Sequence, residues 1–590
     1  MTARFEEAEA AIARRDFVHG LRLGEALTRL HPQSARAFHL VALCERRLAR
    51  HEAARIHYAQ ALALDPENAA IHANFANLLD ELGEPIEAAR HYEQALALEP
   101  DFVDALINYG LLNQQNGKPG KARALLEKAV GLAPEEVRGW HGRALAERAA
   151  GDLKNAAAAV ERAVALRPGD PTLLHLRALI ATERGQPASH LFRAARAKTP
   201  QSAELALDEA IALYEEGHWR EGFAAVAALS DAHPAWIQAH AALAKLTWEE
   251  GRTGDFARGF EVAAAKLPDE PSIRTAHIAV LMKAGRYREA IERIDRARRQ
   301  FGEAQWFDES EAACASELGD IARADRLFAH LDCMMDVGAA TAYMRHLLRA
   351  GRPERASERG TEVVSLPGGT GAWPYLATAW RMLGDPRWDW LEGDPRLISM
   401  VDLPLTDTAC GALTALLVDL HRARHHPFDQ TLRGGTQTAG AILDRTEQEI
   451  AVLRAMLADA IADHIAGLPP FDADHPVLGV SRDAFRFSGS WSSLLTAGGR
   501  HTNHVHPNGW LSSALYLDLP AAIGADLSRP DGWLTFGLPP EEMGIALAPI
   551  RLVEPRPGRL VLFPSVMWHG TLPFAAGRRL TIAFDVAPMT

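Results

Sequence analysis

The sequence predicts a two-part molecule: an all-α solenoid of helical repeats, then an all-β jelly roll with flanking helices. Three observations carry that prediction. A 34-residue period runs through about the first 365 of 590 residues. Composition shifts near residue 366. From about residue 480, short strands with period-two alternation replace helical periodicity.

The period is written in several residue types at once. Pro32, Pro66, Pro100, Pro134 and Pro168 stand 34 residues apart, and Pro200, Pro234 and Pro268 resume the series after one two-residue slip. Ala54, Ala88, Ala122 and Ala156 share the period, as do Ala42, Ala76, Gly110 and Ala144. Glycines at 83, 117, 151 and 185, then 217, 251, 285, 319 and 351, hold the register to about residue 360. Each unit reads as two amphipathic helices, as in residues 70–82 and 86–98. The glycine breaks the chain between them and the proline stops the second helix. Small residues are needed where paired helices cross closely. This pattern resembles the tetratricopeptide repeat family, whose period is 34. The resemblance covers residues 1–365, about ten units, the last ones degenerate. It implies a superhelical groove that binds a protein or peptide partner. The competing reading is an array that only holds the C-terminal domain or dimerises. Met334 and Met335, in a degenerate repeat, read as core.

Composition bounds the rest. The chain is 48% apolar and 24% charged, enough for folded cores. No run approaches the ~20 apolar residues of a membrane helix, and the start, MTARFEEAEAAIARRDF, has no apolar signal region. No membrane partner is expected. The net charge of −13 argues against nucleic acid. Cys44, Cys314, Cys333 and Cys410 lie far apart without a CxxC pair, which excludes a disulfide framework and a cysteine-rich zinc module and suits a reducing, cytoplasmic location. SLPGGTG is a Gly-rich break, eight of the thirteen tryptophans follow it, and the last lysine is Lys283. The expected domains are therefore a solenoid over 1–365, a helical linker and lead-in over 366–478, and a β domain over 479–590. Residues 373–383 read as a helical cap on the solenoid, and 443–466 as a helix.

Two strands of the β domain are informative. In RLTIAFDVAP, Leu580, Ile582, Phe584 and Val586 share one face and Arg579, Thr581, Ala583 and Asp585 the other. In LSSALYLDL, Leu511, Ser513, Leu515, Leu517 and Leu519 face one way, and Ser512, Ala514, Tyr516 and Asp518 the other. A small barrel with helices outside and a polar lumen reads like this. The chemistry sits in the histidines. On an extended strand, His504 and His506 of HTNHVHPNGW project from one face, close enough for both imidazoles to reach one ion. His569 follows the apolar strand LVLFPS, and Arg579 comes ten residues later. A divalent metal held on one face by three side chains, with its other positions open, suits oxygen activation.

HVHPNGWLSSALYL, GRLVLFPSVMWHGTLPF and RRLTIAFDV together resemble the 2-oxoglutarate/Fe(II)-dependent oxygenases related to prolyl 4-hydroxylases, over about residues 485–588. The resemblance implies a double-stranded β-helix with an HxD or HxE pair, a distal histidine, and an arginine about ten residues beyond it. It makes His504 and His569 iron ligands. Arg579 becomes the partner of the distal carboxylate of 2-oxoglutarate, which a guanidinium fork matches. Tyr516 matches a tyrosine that bonds the cosubstrate, and also reads as lumen packing. The implied reaction couples decarboxylation of 2-oxoglutarate to hydroxylation of a C–H bond on a protein or peptide held by the repeats.

The carboxylate position of HxD is His506. Three readings stand: a three-histidine iron site of His504, His506 and His569, which is favoured; a carboxylate from elsewhere, Asp526 or Asp531; or a site that no longer binds iron productively. Asp585 stands where relatives often have Asn, and little is attached to it. Two alternatives to the oxygenase remain: a repeat scaffold with a non-catalytic or regulatory barrel, and a three-histidine dioxygenase without 2-oxoglutarate. Arg579 argues against the latter. His501 reads as a loop residue off the common face, and Arg578 as solvated or paired with an acid. His421, His425 and His426 have helical spacing but no HExxH glutamate, and read as surface or interface residues. LRGGTQT is given no role.

Overall fold

The repeats form because capping and turn signals recur locally. Helices Ala69–Glu81 and Pro85–Leu98 make one unit. Asn68 caps the first, its side chain accepting from the Ile71 amide, and Pro85 opens the second, where a missing amide costs nothing. Between them Gly83 adopts φ +76°, and every glycine of its series lies in the left-handed region, with φ from 64° to 95°. The same register position is Arg15 in the first unit and Ala49 in the second, with φ 61° and 57°. Both carry a Cβ where L-residues are strained. The small-residue series marks the helix crossings. A Cβ on Gly110 would come within 2.6 Å of Leu126 Cγ.

In this computed structural model the described residues are 2–331, 336–521, 523 and 529–589. Cys333, Met334, Met335 and Asp526 lie outside them. Among the described residues, twenty-two α-helices run from Thr2 to Val363 as eleven consecutive pairs, and no helix is long and apolar enough to cross a membrane. The chain forms two compact units, Met1–Ile180 and Ala181–Thr590. The later repeats thus pack as one unit with the β domain, across the compositional boundary at 365.

Within this second unit, helix Trp373–Leu383 closes the repeats. Leu376, Ala377 and Trp380 pack with Met344 and Val363. The same helix meets the β domain, where the Trp568 indole donates to Pro374 O and Thr378 Oγ1 at 3.0 Å each. Further joints end on main-chain oxygens. Trp248 Nε1 donates to His426 O at 2.7 Å, Arg422 to Glu215 O at 3.2 Å, Arg349 to Glu542 O at 3.2 Å, and Arg445 to Gly185 O.

Among the described residues the β domain has nine strands: β1 Ser399–Asp402, β2 Leu432–Gln437, β3 Phe485–His501, β4 Leu511–Asp518, β5 Leu534–Phe536, β6 Arg551–Val553, β7 Arg559–Pro564, β8 His569–Thr571 and β9 Arg579–Pro588. They form a six-stranded sheet, β1-β7-β4-β9-β3-β2, and a three-stranded sheet, β6-β5-β8, antiparallel throughout. β1 and β2 come from the segment expected to be a helical lead-in. LRGGTQT is the edge strand β2, bulged where Gly434 takes φ +68°.

The outer face of the large sheet carries Leu511, Leu515, Leu517, Leu580, Ile582, Phe584 and Val586. It packs on Leu413 and Leu417 of helix Asp407–Val418 and on Ile450, Leu453, Leu457 and Ile461 of helix Gln448–Gly467. Each such side chain contributes ~1.5–3 kcal/mol on burial. The inner faces meet through Ala514, Tyr516, Val561, Phe563, Leu534, Phe536 and Val553. Leu519 was expected outside with the other leucines. It packs on this inner cluster instead, because the β4–β9 register shifts between Tyr516 and Asp518.

Candidate metal centre and cosubstrate pocket

His504 and His569 face each other across an antiparallel bridge, each backbone amide donating to the other's carbonyl at 2.9 and 3.0 Å. Cross-strand partners project their side chains to the same side, and the two rings lie tilted at 52° to each other with centroids 4.3 Å apart. His506, two residues on, returns to that side, 5.0 and 5.1 Å from the other rings. One nitrogen of each lies within 4.8 Å of the others'. Among the described residues this is the one group of three such side chains able to hold an ion.

The second ring nitrogen of each histidine is already engaged. His504 Nδ1 lies 2.8 Å from Thr502 O, and His569 Nδ1 2.9 Å from Met567 O. A carbonyl only accepts, so Nδ1 carries the proton and Nε2 presents a lone pair. This arrangement orients an imidazole for a metal. Burial first, then the neighbouring imidazoles, push both pKa values well below 6.5, so both rings are neutral at pH 7. His506 Nδ1 instead donates to the Asp585 carboxylate, 2.8 Å from both oxygens.

The cluster opens into a cavity of about 670 Å³ that also contains Trp491, Ser493, Arg579, Thr581, Ala583 and Asp585. Arg579 is 2% exposed. It donates to Gly532 O at 3.1 Å, and its guanidinium lies 4.9 Å from the Tyr516 ring centre. Burial pulls its pKa below the ordinary arginine value. Among the described residues, Arg579 Nε, Ser493 Oγ and the Tyr516 hydroxyl are buried without hydrogen-bond partners. A buried guanidinium on the wall of this cavity fits an anion, and three neutral imidazoles fit a divalent metal. Iron and a carboxylate cosubstrate therefore match the donors present.

Other candidates separate. Asp531 pairs with Arg529 at 3.4 Å and is not in the histidine group. Arg578 pairs with Asp518 at 2.8 Å. His501 is not a loop residue: it ends β3, lines the cavity, and its pKa falls to about 3 through burial, then Arg579. His421, His425 and His426 are not helical, because the preceding helix ends at Val418. His421 bonds Thr436 and Ser492 on the sheet, while His425 and His426 pack against Trp248 of the repeats.

Residues 489–585 match the family model described as "Putative 2OG-Fe(II) oxygenase". The chain carries a 2OG-Fe(II) oxygenase domain at its C-terminus. Residues 35–68, 74–137 and 113–171 match tetratricopeptide repeat models, so the helical array is of that kind. Among solved structures the chain is similar to a tetratricopeptide repeat protein from Parabacteroides merdae, at 21% identity and TM-score 0.32 over 42% of this chain and 98% of that one. It is similar to PilF of Pseudomonas aeruginosa at 20% and 0.32, over 35% and 94%. A third, YrrB, described as a TPR protein with an unusual peptide-binding site, is similar at 15% and 0.26, over 29% and 89%. No curated protein matches the chain. Within the matched stretch, the oxygenase domain holds two features that sequence reasoning missed. Asp585 lies behind His506, and His501 lies in the pocket wall.

Proposed function

We propose that the oxygenase domain is an Fe(II)- and 2-oxoglutarate-dependent hydroxylase acting on a protein or peptide segment presented by the repeats. One observation carries this reading. Three imidazole nitrogens within 4.8 Å of one another share a cavity with a buried arginine whose Nε has no partner among the described residues. His504, His506 and His569 would hold the metal on one face, and Arg579 would pair with the far carboxylate of the cosubstrate. Iron and cosubstrate, when bound, would supply the electrons that activate dioxygen, which is the oxidant. The chain's part is orientation. Thr502 O and Met567 O fix two ring tautomers, and Tyr516 supports the plane of the guanidinium. Ser493 offers a hydroxyl to the same pocket.

The repeats reach a cavity that shares wall residues with this pocket. Asp429, Gln430 and Gln437 of the cavity wall also line a second cavity of about 210 Å³, whose opposite wall is Tyr214, Trp219, Lys245 and Glu249 on repeat helices. A substrate reaching the histidines along this path touches both parts of the unit. That supports a polypeptide over a small metabolite.

The test is anaerobic mixing of the purified full chain with Fe(II) and 2-oxoglutarate. A visible metal-to-ligand charge-transfer band is expected, and His569→Ala should abolish it. No band and no retained metal in the wild type would overturn the reading. Succinate release against candidate peptides then identifies the substrate.

A further inference from the structure

The third ligand position is a histidine where the HxD pattern has a carboxylate, yet a carboxylate stands directly behind it. Both oxygens of Asp585 lie 2.8 Å from His506 Nδ1. The two side chains are 17% and 18% exposed, so the pair sits largely out of water. His504 and His569 face neutral carbonyls at the corresponding nitrogen; only His506 faces a charge. Asp585 is itself held. Ser512 Oγ donates to its Oδ1 at 2.6 Å and shares a 2.9 Å bond with Ser565 Oγ, and Ser512 and Asp585 are register partners between β4 and β9. The carboxylate is not a member of the ligand group defined by the three histidines.

We propose that Asp585 is a positioning residue for the metal centre, acting through His506 to replace the carboxylate that the site lacks. This rests on the metal-site reading above. A carboxylate accepting the Nδ1 proton locks the ring with Nε2 toward the ion and makes that nitrogen more basic. It also places a negative charge one imidazole away from a cation that three neutral ligands leave uncompensated. Ser512 and Ser565 keep the carboxylate facing the histidine.

The experiment is an anaerobic titration of the metal-free full chain with Fe(II), and with Co(II) read by its visible d–d absorption. Four proteins are compared: wild type, Asp585→Asn, His506→Asp, and the double variant. Asp585→Asn should weaken metal binding about 10- to 100-fold with an unchanged circular dichroism spectrum. In the His506→Asp background the same change should weaken it no further, because no imidazole is left to relay the effect. Binding by Asp585→Asn within twofold of wild type would overturn the inference and leave the metal site standing. An equal loss in both backgrounds would overturn it too, since it would make Asp585 a support of the fold. A wild type that binds neither ion would remove the metal site and this inference together. If Asp585→Asn does not fold, Ser512→Ala, which frees the carboxylate, should lower affinity several-fold, and an unchanged affinity would overturn the inference.

Discussion

Replacing Arg579 with methionine should separate folding from cosubstrate binding. In the ligand-free chain the guanidinium is 2% exposed, donates to Gly532 O at 3.1 Å, and lies 4.9 Å from the Tyr516 ring centre. Losing the bond costs about 1.5–3 kcal/mol, and losing the ring contact about 1 kcal/mol. Against this, the variant no longer buries a cation that lacks a counter-ion, a penalty of several kcal/mol per ion. The terms nearly cancel, so folding stability should change by less than about 2 kcal/mol. With 2-oxoglutarate bound, the same guanidinium would make two charge-assisted bonds, each worth about 1.5–3 kcal/mol. Their loss should weaken the cosubstrate by about 100-fold or more. Urea unfolding of the metal-free chain measures the first quantity, and anaerobic titration of the charge-transfer band the second. A stability loss above about 3 kcal/mol, with 2-oxoglutarate affinity unchanged, would make Arg579 a structural residue and refute the assignment.

Three further outcomes are expected. Ala49→Gly should stabilise the compact unit Met1–Ile180 by about 0.5–1 kcal/mol, because left-handed φ costs an alanine ~1–2 kcal/mol and glycine gives back part of that in unfolded-chain entropy; a lower melting temperature would contradict the strain. Trp248, whose ring packs 5.8 Å from Phe428 and whose Nε1 bonds His426 O at 2.7 Å, should cost about 3–5 kcal/mol when cut to alanine. Hydrogen exchange over residues 424–430 should speed up with it, and unchanged protection would mean that the contact is incidental. His464 is buried with its Nε2 unpartnered, and burial lowers its pKa from 6.5 to about 4. Between those pH values the unfolded chain binds the extra proton, so stability is full above about 6.5 and declines as pH falls toward 4. His464→Leu should flatten that decline in a pH series of melts, and an unaltered slope would exclude this histidine as a source.

The repeats were legible because their signals are local. A glycine at φ +76°, a proline at a helix start and a small residue at a crossing act within one unit. The histidine face was legible from the two-residue spacing of 504 and 506, although residues 502–506 form no strand and His504 meets His569 through an isolated bridge. β1 and β2 were not, being four and six residues long, with two glycines inside the second. The Asp585–His506 bond spans 79 residues. It depends on how β9 and β4 lie beside the segment carrying His506, which no local pattern encodes. His501 was misplaced because β3 runs on for seventeen residues, to the edge of the cavity.

The joints between the later repeats and the oxygenase domain have an evolutionary consequence. Trp248, Arg422, Arg349 and Arg445 all grip main-chain oxygens, at His426, Glu215, Glu542 and Gly185. A carbonyl is the same chemical group whatever side chain its residue bears. Side-chain changes at Glu215 or Glu542 therefore leave the accepting oxygen in place. Lineages could rewrite the side chains lining the approach to the histidines without renegotiating how the later repeats and the oxygenase domain are tied together.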